Sequence, residues 1–205
     1  MLLAVDIGNS SIKFGVYDGE TLVSRFSIPT FEDLKSAIGT SLDHPISSAI
    51  ASSVVPEIAP TLKTYLKSGF DVDAAFVTND FPFGLKIKYD PLTAAGTDRI
   101  VNSFAAAEKY GVPCIVCSFG TATTIDVVNK DRELLGGLIA PGMATMAKAL
   151  NLTTAKLPEV GIKSPDRVIG HTTDASIQSG IFYSQVGLVE SVVSRIRNEI
   201  GKEAK

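Results

Sequence analysis

Two segments of this chain match each other. The stretch "VDIGNSSIKFGVYDGETLV", starting at Val5, lines up with "CSFGTATTIDVVNKDRELL", starting at Cys117, at an offset of 112 residues. Gly8 falls on Gly120, Asn9 on Thr121, Val16 on Val128, Leu22 on Leu134, and Asp6 on Ser118. Each copy reads as an apolar strand, a Gly-containing turn rich in small polar residues, a second strand, a polar turn and a third strand. One such hairpin is an ordinary turn. Two at a fixed offset with matching flanks predict a duplicated fold, with two related domains facing a shared cleft. Glycine lets a backbone approach a ligand closely, and Ser, Thr and Asn donate to phosphate oxygens, so both turns read as phosphate loops.

The remaining pattern is α/β. A helix is predicted over about 30–41, then a strand in "SSAIASSVV", a helix after Pro56 and a strand in "DAAFVT". "GTDRIVNSFAAAEKYG" has helical periodicity, closed by Gly111 and Pro113. After the second hairpin, "GGLIAPG" marks a tight approach and a turn, followed by a helix to about Leu150 and a long helix from near Thr173 to about Ile200. Domains are placed at 1–112 and 113–205. The first copy continues past its hairpin through two more strands; the second has two helices and no further strand, so its sheet reads as incomplete at the C-terminus.

Composition excludes several classes. The chain has 205 residues, a formal net charge of −3 and 45% hydrophobic residues, as expected of a soluble protein with one large or two small domains. A pI near 5.4 argues against a nucleic-acid surface. "MLLAV" stops at Asp6, too short for a leader or a membrane span, and a cytoplasmic location is expected. With only His44 and His171, a multi-histidine metal site is excluded. A magnesium site made of carboxylates and phosphates is not. Cys114 and Cys117 form a C-x-x-C, but on the strand "PCIVCSF" residues three apart point to opposite faces, against a redox pair.

Seven stretches in order, "DIGNSSIKFG", "SSVVP", "YDPLTAAGTDRIVN", "FGTATTID", "GGLIAPG", "LTTAKLP" and "IGHTTDASIQSGI", run nearly end to end. In them the chain resembles the type III pantothenate kinases, also called Bvg accessory factor-like. Their fold is the duplicated ribonuclease H-like architecture of the acetate kinase/sugar kinase/Hsp70/actin superfold. The resemblance implies transfer of the γ-phosphoryl group of ATP to pantothenate, giving 4'-phosphopantothenate on the way to coenzyme A. It also implies Mg²⁺, a monovalent cation (potassium or ammonium), a homodimer and no nucleic-acid or membrane partner. Two alternatives stand beside it: an impaired member acting as a binding or regulatory protein, and a kinase for another small alcohol.

The site residues follow. By resemblance Asp6 lies beside the phosphates and is linked to Mg²⁺; by itself it is also a turn-capping residue. Gly8, Asn9, Ser10 and Ser11 form the first phosphate loop. Lys13 shares a strand face with Ser11 and reads either as a phosphate contact or as a solvated lysine. Asp98 matches the family's general base for the pantothenate hydroxyl, and is also a carboxylate at a helix start. Arg99 matches the arginine that grips substrate; a guanidinium suits pantothenate's carboxylate. Tyr89, Gly96, Thr97 and Asn102 belong to the same substrate region. Gly120, Thr121 and Thr123, with Thr124, line the second phosphate loop, although alternating threonines also suit a strand. Asp126 reads as a surface strand residue without a role. Thr173 matches a substrate threonine, in part across a dimer interface, and also reads as a helix N-cap.

Two departures stand out. Ser118 occupies the position of the family's aspartate for the monovalent cation, and a neutral hydroxyl is a poorer ligand for a bare cation. The family also continues with a strand, a Thr-Gly-Gly-type turn that flanks the adenosine, and further helix. The resemblance therefore implies weaker cation stimulation and weaker nucleotide binding.

Overall fold

The computed structural model describes residues 1–31, 34, 38 and 42–205. The chain divides into two compact units, Met1–Phe83 with Asp90–Val101, and Gly84–Tyr89 with Asn102–Lys205.

The first unit is built on a five-stranded sheet. Its strands are β1 (Leu2–Ile7), β2 (Ser11–Asp18), β3 (Thr21–Pro29), β4 (Ser48–Ser53) and β5 (Ala75–Phe76), in the order β3-β2-β1-β4-β5. The first three are antiparallel; β4 and β5 run parallel to β1. This is the ribonuclease H-like arrangement. Period-2 alternation sets the faces: Leu3, Val5 and Ile7 of β1 pair with Val16, Phe14 and Ile12 of β2, and all six are buried. Phe26 of β3 stacks on Phe14 with ring centroids 4.6 Å apart. Helix α1 (Ala59–Phe70) adds Leu62 and Leu66, one turn apart, to this core. It stops at Asp71, which adopts a left-handed conformation; the Asp71 N–H donates to the Lys67 carbonyl and the Val72 N–H to that of Leu66. The helix expected over about 30–41 falls mainly outside the described residues, of which Leu34 and Ile38 are buried in the same core.

The second unit repeats the opening. Strands β7 (Cys114–Phe119), β8 (Ala122–Val128) and β9 (Glu133–Pro141) form an antiparallel meander. A two-residue strand, β6 (Lys86–Ile87), lies parallel on the β9 edge. No periodicity announces so short a strand. It is held by backbone bonds from Lys86 and Lys88 to the Arg132 and Leu134 carbonyls, and by Lys86 and Lys88 ammonium groups at 3.2 and 3.4 Å from Glu133. Helices α3 (Met143–Thr153) and α4 (Thr173–Ile200) pack on each other through Ala147, Ile177 and Ile181. Helix α2 (Thr97–Tyr110) begins in the first unit and ends in the second.

Register corrects the repeat. Asp6 faces Lys13 across β1–β2, whereas Ser118 faces Thr124 across β7–β8. The offset is thus 112 residues for the first strand of each pair and 111 for the second. The second turn is one residue shorter, and Val127, not Val128, is the counterpart of Val16. On the outer edge of β7, Lys205 donates to the Pro113 carbonyl (3.2 Å) and accepts from Ile115 (2.9 Å). Ser48 donates in the same way to the Met1 carbonyl (3.4 Å), which again gives an offset of 112 for the first strand. Asp126 is not at the surface: it is 2% exposed, on a β8 strand that lies between β7 and β9.

Candidate active site

The first loop joins β1 to β2. The Gly8 N–H bonds the Ser11 carbonyl at 3.1 Å and closes the turn, leaving Asn9 and Ser10 exposed at its tip and Ser11 half-buried. Thr30, buried at the end of β3, clamps the loop. Its hydroxyl donates to the Gly8 carbonyl (2.7 Å) and its N–H to the Ser10 carbonyl (3.3 Å). The half-buried Asp6 stands at the base, and the Lys13 ammonium donates to its Oδ2 at 3.2 Å. Antiparallel register, rather than proximity in sequence, brings this carboxylate and ammonium together. Lys13 is therefore tied to the loop's carboxylate.

The second loop, between β7 and β8, repeats the scaffold with different chemistry. The Gly120 N–H bonds the Ala122 carbonyl (3.0 Å), and the Gly142 N–H bonds the Thr121 carbonyl (3.0 Å) in the role of Thr30. A Cβ at Gly142 would lie 2.0 Å from the Gly120 carbonyl oxygen, so no larger residue fits there without moving backbone. Thr145, in the first turn of α3, donates to the same Thr121 carbonyl at 2.5 Å. Gly120 and Thr121 are exposed. Thr123 is not: it is 1% exposed and its hydroxyl donates to Gln185 Oε1 at 2.6 Å. Gln185 in turn donates to the Pro141 carbonyl (3.1 Å), so this buried side chain of α4 ties β8 to the end of β9 beside the loop. Ser118 is half-buried, and its hydroxyl accepts from the Asn102 amide at 3.2 Å.

The GTDR turn opens α2. Asp98 Oδ1 accepts from the Arg99 N–H at 2.8 Å, and a Cβ at Gly96 would come within 2.6 Å of that oxygen. Glycine thus leaves room for the carboxylate to fold back over the turn. Arg99 is only 7% exposed. Thr97 is buried, with its hydroxyl donating to the Ser53 carbonyl (3.1 Å) and accepting from Ser52 Oγ (3.0 Å). The Asn79 amide donates to the Leu92 carbonyl (3.1 Å) and to that of Ala95, fixing the 3-10 turn just before. Tyr89, half-buried, belongs to the second unit; a Cβ at Gly136 would lie 3.5 Å from its ring.

Thr173 is the first residue of α4, and the N-cap is its neighbour: the Thr172 hydroxyl accepts from the Ala175 N–H at 3.1 Å. The N-cap reading of Thr173 is thereby corrected, since the cap residue must stay extended and Thr172 does so (φ −132°, ψ 162°). Both threonines, with His171, Met146, Leu150 and Ile181, line a cavity of about 910 Å³ within the second unit.

The cysteines take no part in these loops. Both are free, and burial pushes each thiol above its usual range, with Asp126 adding to the effect at Cys117. A protonated thiol is a poor nucleophile. Among the described residues, no group of three or more His, Cys, Asp or Glu could hold a metal ion, and no helix is long and apolar enough to cross a membrane.

Thr30, Ser52, Asn79 and Gln185 are missing from the sequence reading. Each acts on a partner 13 to 62 residues away, and none sits in a local pattern that betrays the contact.

A solved structure shares the fold, and curated relatives share the sequence. The chain covers 93% of itself and 78% of a Baf family crystal structure from Campylobacter jejuni, with a TM-score of 0.55 and 22% identity, which establishes the fold. It is 41% identical to a type III pantothenate kinase of Paramagnetospirillum magneticum over 99% of this chain and 83% of the relative. It is 38% identical to those of Solibacter usitatus and Halalkalibacterium halodurans, over its full length and 83% and 85% of theirs. A family model for type III pantothenate kinase matches residues 2–195. With its two hairpin loops, its GTDR turn and this end-to-end identity, the chain belongs to the type III pantothenate kinase family.

Proposed function

We propose that this protein phosphorylates pantothenate with ATP, giving 4'-phosphopantothenate for coenzyme A biosynthesis. The observation that carries the reading is the GTDR turn, held rigidly at the start of α2 in a chain about 40% identical to pantothenate kinases end to end.

The substrate hydroxyl oxygen attacks the γ-phosphorus, the bond to the β–γ bridging oxygen breaks, ADP leaves, and the hydroxyl proton passes to Asp98. With Oδ1 on the Arg99 N–H, Oδ2 is the oxygen that takes the proton. Arg99, withdrawn from water, pairs with the pantothenate carboxylate; desolvation strengthens such a contact. Tyr89, Gly96 and Thr173 complete the substrate contacts, the last of them in a homodimer. On the ATP side, Asn9, Ser10, Ser11 and Thr121 offer donors on loops whose glycines, Gly8 and Gly120, admit the phosphates closely. Thr123 supports the second loop from beneath and Thr97 anchors the GTDR turn to the end of β4, since their hydroxyls are already engaged.

Magnesium requires only one or two carboxylates when phosphates supply the other oxygens, and Asp6 at the loop base meets that need. When bound, the ion neutralises charge developing on the transferred phosphoryl group. The monovalent cation fits poorly. At Ser118 there is no carboxylate, and the amide of Asn102 occupies a hydroxyl lone pair that a cation would use. Potassium is expected to stimulate this protein weakly. A cytoplasmic location suits such an enzyme.

The test is incubation with ATP, Mg²⁺ and pantothenate, with product identified as phosphopantothenate. Absence of product from folded protein overturns the reading, and ligand binding without turnover favours a binding or regulatory role. Asp98→Asn should lower kcat by about 10²–10⁴-fold, the usual contribution of a general base.

A further inference from the structure

Asp98 lies on the second residue of a helix whose first turn could fray. Two features oppose this. The Asn79 amide bridges two carbonyls of the preceding 3-10 turn. More unusually, Thr97 does not use its hydroxyl locally. It bonds instead to the end of β4, donating to the Ser53 carbonyl (3.1 Å) and accepting from Ser52 Oγ (3.0 Å). Ser52, Thr97 and their contact are buried from water.

Ser52 has a second neighbour. It is the register partner of Asp6 on β1, and Lys13 is the partner of Asp6 on the other side. Register partners share a sheet face, so Lys13, Asp6 and Ser52 form one lateral row on the first unit's sheet. The Ser52–Thr97 bond extends the row to the residue preceding Asp98 in the chain. The whole line lies in the first unit, and it connects the phosphate-loop carboxylate to the base through sheet backbone and a single pair of hydroxyls.

We propose that Ser52 is a positioning residue for the phosphoryl transfer. Acting through Thr97, it fixes Asp98 relative to the strand end that carries Asp6. The proposal rests on the reading of Asp98 as the base. Its logic is geometric: a displacement of about 1 Å in a reacting group can cost about 10²-fold in rate, while ground-state binding of ATP need not change. A hydroxyl pair spanning 45 residues of sequence is also a stiff link, because both of its ends lie on regular secondary structure.

Steady-state kinetics of Ser52→Ala, Thr97→Val and Thr97→Ser test it, with ATP and pantothenate each varied and thermal unfolding recorded for each variant. Ser52→Ala should lower kcat about tenfold with the KM for ATP within about twofold. Thr97→Val, which keeps the volume and removes the hydroxyl, should lose at least as much. Thr97→Ser should recover most of what Thr97→Val loses. The Ser52→Ala effect should also vanish in an Asp98→Asn background if a residual rate is measurable. Wild-type kcat in both Ser52→Ala and Thr97→Val overturns the proposal. So does a loss that Thr97→Ser fails to recover, or one explained by the unfolded fraction. An active Asp98→Asn would instead overturn the assignment of the base, which separates the two failures.

Discussion

The two hairpin loops are built on one backbone plan and carry different charges. In the first, Asp6 and Lys13 face each other with 3.2 Å between carboxylate and ammonium. In the second, the same two places hold Ser118 and Thr124, and the partner of Ser118 is the amide of Asn102. The pair in the first copy is substantially exposed, and exposed ion pairs contribute little to stability. Its consequence is local charge beside the turn, where phosphates and a divalent cation are proposed to bind. The second copy keeps the turn glycine, the exposed Thr121 and the closing N–H, so the proposed phosphate contacts there would come from neutral donors alone. Duplication has conserved backbone donors in both copies and concentrated side-chain charge in one.

Removing that charge should have the largest effect. Asp6→Asn is expected to lower kcat by about 10²–10³-fold, as loss of a preorganised electrostatic contact does, and to raise the Mg²⁺ concentration needed for half-maximal rate. A variant with unchanged Mg²⁺ dependence would show that the charged copy is not the metal side. Closure differs next. The first loop is clamped by a threonine and the second by a glycine, so Gly142→Ala should destabilise the protein by about 1–3 kcal/mol, read as a lower thermal midpoint. An unchanged midpoint would mean that the loop relaxes freely and the tight approach is unimportant.

Ser118→Asp makes the second copy resemble the first. It should confer a saturable, several-fold stimulation by potassium, well above the weak effect expected of the wild type. Strong potassium activation of the wild type would sink the idea that the neutral pair excludes the cation. Ser118→Ala should do least. It removes one neutral hydrogen bond, worth about 1 kcal/mol, and should change kcat/KM by no more than about fivefold.

Much of this arrangement is legible in the chain. Alternation in "LLAVDI" and "SIKFGVYD" specifies half-buried strands, and the 3.6-residue period of "TDRIVNSFAAAEKY" specifies α2. The motif residues Asp6, Gly8, Gly120 and Asp98 can be picked out because each sits at an element end beside a turn signal. What stayed hidden has a common cause. The shift from 112 to 111 in the repeat depends on how the second turn closes: a turn one residue shorter moves the counterpart of Phe14 from Asp126 to Ile125. Asp126 reads as a surface residue under simple alternation, yet β8 is buried on both faces from Ile125 to Val128 once the chain is packed. Strand β6 is two residues long and exists because β9 offers it an edge.

The sequence by itself determined the duplicated α/β plan, the two glycine turns, the family and the residue types available for chemistry, because these depend on local periodicity and on motifs contiguous in the chain. Tertiary structure alone decided which motif hydroxyls are buried supports. Thr97 and Thr123 lie within site motifs, yet Ser52, Ser53 and Gln185 engage them from 44 to 62 residues away. A hydroxyl has the same chemistry in every sequence position; its role is set by the partner that burial brings within hydrogen-bonding distance.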